Sequence, residues 1–373
     1  MYNIIEKYLN KSSTGFVISI YNKGIEQTLE LGYAELKPQK KELDENYLFD
    51  IASLTKVFTS ICIYKAIEDK KLKLEDTIFD IDTNFIYLKD VSILDLITHS
   101  VELWTNGYLG TAQNKIEWYS ILYNTKVRKY ENNYIDAHYI ILSTILETVY
   151  NDNYYNILNE IIFIPLNIKS ATYEPKEKIV SNDYWFNDES VLRSYVGKHH
   201  DTKARVAYYL GIYTGHAGIF INAQDMMKVL KSFFEYNILN KDSVEYMLNF
   251  NKSQDKQYAM LKHIAKKHKL NCNGTHTELY ERIKSLTDCK FLSYDYTYGG
   301  MRHKSKIKSL NEIPDSCSEC SVFFSGFTTP SFLLDYENKI IILVMGNIHC
   351  TKLTRSNRHI TLKQMFLDIY NSI

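Results

Sequence analysis

The stretch FDIASLTK, at Phe49–Lys56, carries the strongest structural signal in the chain. It contains Ser53 and Lys56 in the spacing S-x-x-K, and apolar residues recur at helical intervals from Ser53 to Asp69. Residues three apart on a helix share a face, with Cβ atoms about 5–6 Å apart. The stretch therefore predicts a core helix with Ser53 near its start and the Lys56 amine within reach of the Ser53 hydroxyl.

This pairing suggests an activated nucleophile. A lysine in a partly desolvated site loses proton affinity, and the neutral amine of Lys56 could then take the Ser53 proton. The helix dipole would favour negative charge near Ser53. S-x-x-K is a short motif, however, and the alternative is an N-cap serine followed by a solvated lysine.

Composition limits the classes of partner. The chain has 373 residues, with Lys and Arg totalling 44 and Asp and Glu totalling 44, so its formal net charge is zero. This balance gives no argument for attraction of the whole molecule to nucleic acid or membrane, although a neutral total can contain a local basic patch. Met1–Lys11 lacks signal-peptide features, and Ile340–Met345 is far shorter than the ~20 residues of a membrane span. We expect a cytoplasmic protein with no membrane partner and with its six cysteines reduced.

Strand-like segments lie near both ends of the chain, with helical patterns between them. The predicted hairpins pair Phe16–Tyr21 with Gln27–Tyr33, and Ser331–Asp335 with Lys339–Met345. Further helices are predicted at Ile93–Thr98, Ala137–Val149, Ala223–Phe234 and Thr361–Tyr370. The pattern predicts the α/β (α+β) class: an antiparallel sheet built from both termini and flanked by helices, plus a helical lobe.

Several further motifs follow Ser53 in a recognisable order. They are VSILDLITHS at Val91–Ser100, Y-x-D at Tyr134–Asp136, Pro165-Leu166, His200-Asp201, GHAGIF at Gly215–Phe220, and a closing hairpin from Phe327 to His349. Together with FDIASLTK they resemble the serine β-lactamase and penicillin-binding-protein superfamily, in its class C-like, esterase-like branch. The resemblance implies a β-lactamase/transpeptidase-like fold over residues 1–373.

The resemblance also implies roles for individual residues. Ser53 would be acylated, and Tyr134 would act with Lys56 as general base and then as acid toward the leaving group. Asp136 would hydrogen-bond Lys56 or a substrate amide, or cap the helix before Ala137. The backbone N–H groups of Ser53 and of Phe327, on an edge strand, would form the oxyanion hole. No metal or cofactor is expected.

The third family motif, K-T-G or H-T-G, is altered here to Phe324-Ser325-Gly326. Gly326 still allows a substrate backbone to approach, and Ser325 keeps a hydroxyl. Phe324 removes a cation whose charge-assisted hydrogen bond would contribute ~1.5–3 kcal/mol to binding a carboxylate. We therefore expect weak or no β-lactamase activity, and either an esterase-like or a catalytically weak member.

Tyr258–Leu286 resembles a SAP motif, a short helix–turn–helix module associated with DNA binding, and defines an insertion at residues 256–288. Basic residues are frequent in it: Lys262, Lys266, Lys267, Lys269, Arg282 and Lys284. This basic face predicts contact with DNA phosphates. The alternative is a peripheral pair of helices with a solvated basic face.

Other residues with metal-binding chemistry have simpler explanations. His199, His200 and Asp201 lack a third spaced ligand and predict a hydrogen-bonded loop, and His216 is expected to be structural. Cys317-x-x-Cys320 with Cys272 and Cys289 could bind zinc, but the spacing is irregular.

Two hypotheses follow from the sequence. The first is a serine hydrolase that cleaves a small-molecule ester or amide through an acyl-enzyme at Ser53. The second is a weakly active or inactive protein of this fold that binds a partner, with DNA held by the basic insertion.

Overall fold

A computed structural model of the chain shows the fold. It describes residues 1–9, 13–36, 39–130, 133–181, 184–186, 192–194, 196–249, 261–262, 265–266, 268–284, 296–304, 312–347 and 362–373. In this part of the chain, no helix combines the length and the apolar character needed to cross a bilayer.

A seven-stranded sheet joins the two ends of the chain. Its order is β10-β11-β12-β13-β1-β2-β3, and every neighbouring pair is antiparallel. These strands are β1 (Gly15–Asn22), β2 (Ile25–Glu35), β3 (Lys41–Glu42), β10 (Arg302–His303), β11 (Ser321–Ser325), β12 (Ser331–Asp335) and β13 (Ile340–Gly346). Because β1 pairs with β13, both predicted hairpins belong to one sheet, and the expected sheet from both termini is confirmed.

Six short strands form three two-stranded ribbons outside this sheet. They are β4 (Phe49–Asp50) with β9 (Phe220–Ile221), β5 (Glu102–Trp104) with β6 (Lys126–Lys129), and β7 (Tyr184–Phe186) with β8 (Leu192–Ser194). The β4–β9 ribbon matters most, since it brings the segment before Ser53 beside the GHAGIF segment.

Most of the helices come between β3 and β10 in the sequence, that is, between the N-terminal and the C-terminal strands of the seven-stranded sheet. The helices are α1 (Tyr2–Glu6), α2 (Thr55–Glu68), α3 (Ile78–Ile81), α4 (Ile93–Ile97), α5 (Lys115–Tyr123), α6 (Asp136–Tyr150), α7 (Tyr154–Leu158), α8 (Thr202–Tyr209), α9 (Ala223–Glu235), α10 (Lys241–Leu248), α11 (His276–Ile283) and α12 (362–370). Short 3₁₀ turns precede α2 at Ala52–Leu54 and α5 at Leu109–Thr111, and a π-helical turn follows α7 at Asn159–Phe163. The predicted helices are confirmed to within one or two residues at each end, and Thr361 lies outside the described residues.

The sheet separates two apolar cores. Successive side chains of a strand point to opposite faces, so Phe324 packs with the helical lobe while Phe323 packs with α12, where it meets Phe366 edge-on. The larger core contains α2 and α6, both buried over most of their length. These two helices are therefore held at fixed positions relative to the sheet, and both carry site residues.

Asn347 ties the two ends of the chain together just beyond β13. Its buried Oδ1 accepts hydrogen bonds from the Ser13 hydroxyl at 2.6 Å and from the Thr14 amide at 3.0 Å. Its Nδ2 donates to the Thr14 hydroxyl at 2.7 Å. All three side chains are fully buried, so their polar groups hydrogen-bond one another in place of water.

We predict that Asn347→Ala lowers the free energy of unfolding by about 1–3 kcal/mol, because the buried Thr14 amide loses its acceptor. Urea denaturation measures this loss. Asn124→Ala, at an exposed helix end, is the control and should change stability much less. Equal effects of the two substitutions would contradict this account of Asn347.

The SAP-like segment has a small core of its own. Leu261 and Ala265 pack against Leu279 and Ile283, with residues 261–262 and 265–266 helical and α11 supplying the second helix. Thr275 begins α11 with a capping box to Glu278. The described part of this segment thus contains α11 and the helical residues 261–262 and 265–266, and its likeness to a SAP motif stays a prediction.

Candidate active site

Ser53 lies on a constrained turn between β4 and α2. The preceding residue, Ala52, has φ of +45°, a left-handed conformation that costs energy for any residue with a Cβ. The Ala52 amide donates to Asp50 Oδ1 at 2.8 Å, and Asp50 Oδ2 accepts the His200 amide, also at 2.8 Å. These bonds fix the turn and leave Ser53 half-buried at the start of the helix.

Lys56 is the central group of the site. Its side chain is 1% exposed. Its ammonium nitrogen lies 3.1 Å from Ser53 Oγ, 2.8 Å from Asp136 Oδ1 and 3.0 Å from the backbone carbonyl oxygen of His216. Three acceptors match the three protons of an ammonium group, so the cation is fully hydrogen-bonded although it is buried.

This environment favours the charged form of Lys56, whose protonation state the sequence left open. Burial acts to lower the pKa of Lys56, but the Asp136 carboxylate and Tyr134 outweigh it, so the net effect raises the pKa above its ordinary value. Lys56 is therefore a cation in the resting site. It donates a hydrogen bond to Ser53 Oγ and does not accept the serine proton in this state.

Asp136 does not cap α6, contrary to one of the two expectations for it. The helix begins at Asp136 itself, with Ile135 at the N-cap and no side-chain cap bond. The carboxylate instead bonds Lys56 through Oδ1 and Lys203 Nζ through Oδ2, the latter at 3.1 Å. Burial acts to raise the pKa of Asp136, but Lys56, His216 and Lys203 together hold it well below its usual range.

Asp201 extends these contacts to α8, which it caps by accepting the Ala204 amide at 2.9 Å. Its Oδ2 lies 3.0 Å from Lys203 Nζ, and its Oδ1 lies 2.9 Å from His216 Nε2. Burial opposes ionisation here too, but His216 and Lys203 keep the pKa of Asp201 far below its ordinary value. The His216 side chain is thus linked to the site, beyond the structural role expected for it.

Asp136, Asp201 and His216 are the group of described residues close enough to share a metal ion. Their carboxylates are already neutralised by Lys56 and Lys203, so we assign no metal to them. The group contains no cysteine. Cys317 is buried and is not in a disulfide, and Cys289 lies outside the described residues.

His199 and His200 do not join that group. The His199 ring packs among aromatic side chains, including Phe220 at 5.4 Å between ring centroids. The His200 ring lies 4.8 Å from the ring of Phe327. Of the His199–Asp201 run, only Asp201 contributes its side chain to the charged contacts around Lys56.

Tyr134 lies beside Lys56, as expected from the resemblance. The Lys56 ammonium is 4.9 Å from the Tyr134 ring centroid. On its other side the Tyr134 ring contacts His99, with 4.6 Å between the ring centroids. The His99 carbonyl oxygen also accepts the amide of Asn133 at 2.9 Å, so His99 restrains both the ring and the backbone next to it.

The orientation of His99 depends on a buried histidine pair. His138 Nε2 lies 2.8 Å from the Val101 carbonyl oxygen, which can only accept, so Nε2 carries the His138 proton. His138 Nδ1 is then the acceptor for His99 Nδ1–H at 2.7 Å. Both rings are neutral, and burial lowers the pKa of His138 to about 4. Burial and the neighbouring His138 lower the pKa of His99 well below its usual value.

We predict that His138 makes the protein less stable as the pH falls from about 6.5 to about 4. In this range the unfolded chain binds a proton that native His138 excludes, at a cost of at most about 3 kcal/mol. His138→Asn should therefore show a shallower loss of unfolding free energy in urea titrations between these pH values. His268→Asn, at an exposed position, should keep the wild-type slope. A slope unchanged in His138→Asn would refute the neutral pair.

The altered third motif lies at the end of β11, against the turn that carries Ser53. Phe324 is 1% exposed and belongs to the core, and strand alternation places the half-buried Ser325 on the opposite face. A Cβ on Gly326 would lie 2.5 Å from the Ile51 carbonyl oxygen. The missing side chain at Gly326 is therefore required by the protein's own backbone next to Ser53.

Phe327 does not lie on an edge strand, contrary to expectation. It follows β11 in the turn before β12, and β10 covers the outer side of β11. The neighbouring Thr328 hydroxyl donates to the Asp50 carbonyl oxygen at 2.5 Å. This bond holds the turn against the Ser53 segment, and the Phe327 side chain is 48% exposed beside it.

Two sets of residues at the site were not predicted from the sequence. Lys203 and the His99–His138 pair lie within or next to quoted motifs, but no role was assigned to them, because helix packing brings them to Lys56 and Asp136. A signal for His99 was present, since it lies within the quoted Val91–Ser100 stretch.

Comparison with known proteins supports the fold. A curated relative, the N-acetylmuramyl-L-alanine amidase of Bacillus subtilis (strain 168), is 24% identical over 281 residues. That match covers 64% of this chain and 62% of the relative, so it spans less than two thirds of the amidase.

Two solved structures share the fold over nearly their whole length. EstCE1, a hydrolase with promiscuous acyltransferase activity, has a TM-score of 0.70 at 13% identity, covering 98% of this chain and 97% of its own. The D-amino acid amidase of Ochrobactrum anthropi SV3 has a TM-score of 0.69 at 15% identity, covering 99% and 97%.

The family model named Beta-lactamase matches residues 3–359. This match confirms both the superfamily and the fold class expected from the motifs around Ser53. The chain belongs to the Beta-lactamase family.

Proposed function

We propose that this protein is a serine hydrolase that cleaves a small ester or amide through an acyl-enzyme on Ser53. The observation that carries the proposal is the 3.1 Å contact between Ser53 Oγ and a buried Lys56 ammonium fixed by two further acceptors. A solvated lysine after an N-cap serine, the alternative for S-x-x-K, would be neither buried nor fixed.

The reaction begins with attack of Ser53 Oγ on the substrate carbonyl carbon. Tyr134 reacts as the phenolate, after loss of its proton to solvent, and the adjacent Lys56 cation stabilises that anion. The phenolate oxygen accepts the serine proton and becomes a phenol. As the carbonyl re-forms, the C–O or C–N bond to the leaving group breaks and Tyr134 returns the proton to the alcohol or amine. Water then attacks the acyl-enzyme, with Tyr134 again moving the proton, and releases the acid and Ser53.

The oxyanion hole is assigned to the backbone N–H groups of Ser53 and Phe327. Its support is the bond from Thr328 to the Asp50 carbonyl oxygen, which ties the Phe327 turn to the segment before Ser53. Two donors held by a rigid backbone would stabilise the tetrahedral oxygen without reorganising.

An uncharged acyl group suits this site best. Phe324 supplies no cation, and the two lysines of the site are balanced by Asp136 and Asp201. Exposed aromatic side chains lie nearby: the Tyr108 ring is 5.8 Å from Lys203 Nζ, and Phe327 contacts His200. We therefore assign apolar or aromatic esters and amides, with penicillins as poor substrates. The relatives named above, two amidases and a hydrolase with promiscuous acyltransferase activity, fit this class.

We predict a single covalent adduct when the protein is incubated with a fluorophosphonate serine probe and analysed by intact-mass spectrometry. The adduct should disappear in Ser53→Ala and persist in Ser120→Ala, which removes a partly exposed serine on α5. Lys56→Met should slow labelling by roughly 10²–10⁴-fold, the usual range for losing acid–base assistance. A folded wild-type protein that gives no adduct would exclude an activated Ser53.

A second function, DNA binding, is favoured by the exposed lysines of the SAP-like segment. Lys262, Lys266 and Lys269 are exposed on a segment that packs its own core. Arg282 does not belong with them, since its guanidinium donates to the Asn271 and Asn273 carbonyl oxygens of the turn. Lys284 is paired with Glu281, and Lys267 lies outside the described residues.

We predict that Lys262→Glu/Lys266→Glu/Lys269→Glu weakens any binding of a fluorescent DNA duplex, measured by anisotropy at low and at physiological salt. Lys23→Glu/Lys70→Glu/Lys71→Glu, at exposed positions elsewhere, is the control. Ester hydrolysis should be unchanged in both triple variants. Wild-type protein that binds no duplex at low salt would end the DNA hypothesis.

A further inference from the structure

The polar contacts around Lys56 close on themselves. Lys56 bonds Asp136, Asp136 bonds Lys203, Lys203 bonds Asp201, and Asp201 bonds His216 Nε2. The His216 carbonyl oxygen then accepts a hydrogen bond from Lys56 at 3.0 Å. We call these five residues the ionic ring.

We propose that Lys203 and Asp201, on and at the cap of α8, are positioning residues that set the charge balance felt by the Ser53–Lys56–Tyr134 centre. The inference rests on the proposed function of that centre. Neither residue contacts Ser53 in the described structure, and each acts through its neighbours in the ionic ring.

The argument starts from the position of Asp136. Its carboxylate faces two ammonium groups, Lys56 at 2.8 Å and Lys203 at 3.1 Å, so its negative charge is shared between them. Without Lys203, Asp136 would act on Lys56 alone. The positive charge near Tyr134 would be more strongly compensated, and loss of a proton from the Lys56–Tyr134 pair would become harder.

Asp201 has the opposite effect. It offsets the charge of Lys203 and orients the His216 side chain, whose backbone carbonyl holds Lys56. If Asp201 were neutral, the ionic ring would carry one more positive charge. Loss of a proton from the Lys56–Tyr134 pair would then become easier.

Other titratable groups around Lys56 do not replace this balance. The titratable groups packed around Lys56 and Tyr134 in the described structure include, besides the ionic ring, Tyr139, Tyr296, His99 and His138. The Arg302 guanidinium, which acts on His99, is paired with Glu312. The two histidines are neutral, and burial raises the pKa of Tyr139, so it too is uncharged. Asp136, Lys203 and Asp201, together with the His216 ring that contacts Asp201, are therefore the polar side chains that act on Lys56 and Tyr134.

The test is the rate of fluorophosphonate labelling of Ser53 as a function of pH, followed by intact mass. The midpoint of the rise in rate with pH should move upward by roughly one unit or more in Lys203→Met, and downward in Asp201→Asn. Lys203→Arg keeps the charge and should restore the wild-type midpoint. Lys228→Met, which removes a lysine paired with Asp225 on α9, should leave it unchanged.

The outcomes separate this inference from the proposed function. If wild type is labelled and both ring variants label slowly at an unchanged midpoint, the two residues only maintain structure and the inference is wrong. If wild type gives no adduct, the proposed function itself fails. Thermal unfolding of each variant identifies any that does not fold. In that case Lys203→Arg provides the decisive comparison, and the midpoint of its labelling rate against pH must match that of the wild type.

Discussion

The site depends on a buried ion pair between Lys56 on α2 and Asp136 at the first turn of α6. Removing two charged groups from water is costly, and the cost is offset only when geometry and additional hydrogen bonds are good. Here every proton of Lys56 has an acceptor, and both carboxylate oxygens of Asp136 face lysines. The buried pair is stable only when α2, α6, α8 and the GHAGIF segment pack so that these hydrogen bonds form. The site therefore restricts how these four segments can be arranged.

The sequence was most informative where chemistry and spacing coincide. Ser53 and Lys56 share a helical face, so their contact could be expected from spacing. The approach of Tyr134 and Asp136 was implied by the resemblance of the Y-x-D motif to the family's second motif. The protonation of Lys56 could not be expected, because it depends on whether burial or Asp136 dominates. Lys203 was missed for a related reason: it lies two residues after the His200-Asp201 motif, but only the packing of α8 brings it to Asp136.

The same contrast holds for the fold. Both hairpins were predictable because β-prone segments of five or more residues flank clear turns. The two-residue strands β3, β4, β9 and β10 carry no periodicity, yet β4 and β9 place Ser53 beside the His216 turn. Phe327 was assigned to an edge strand because the sequence gives no sign of β10. In the sequence, Phe324 was notable because it replaces the cation of the third motif. In the structure it is a core residue, and its burial stabilises β11 beneath the site.

The pairing of β1 with β13 has a consequence for how the chain acquires this fold. Phe16 meets Gly346, and Asn347 bonds Ser13, so the central contacts of the sheet join residues far apart in sequence. Such topology slows folding, because the entropy of closing a long loop is lost before the contacts form. Until β13 arrives, one edge of β1 presents unpaired amides and carbonyls next to the apolar side chains of Phe16, Val17 and Ile18. Newly made chains therefore pass through a period of vulnerability to intermolecular strand pairing.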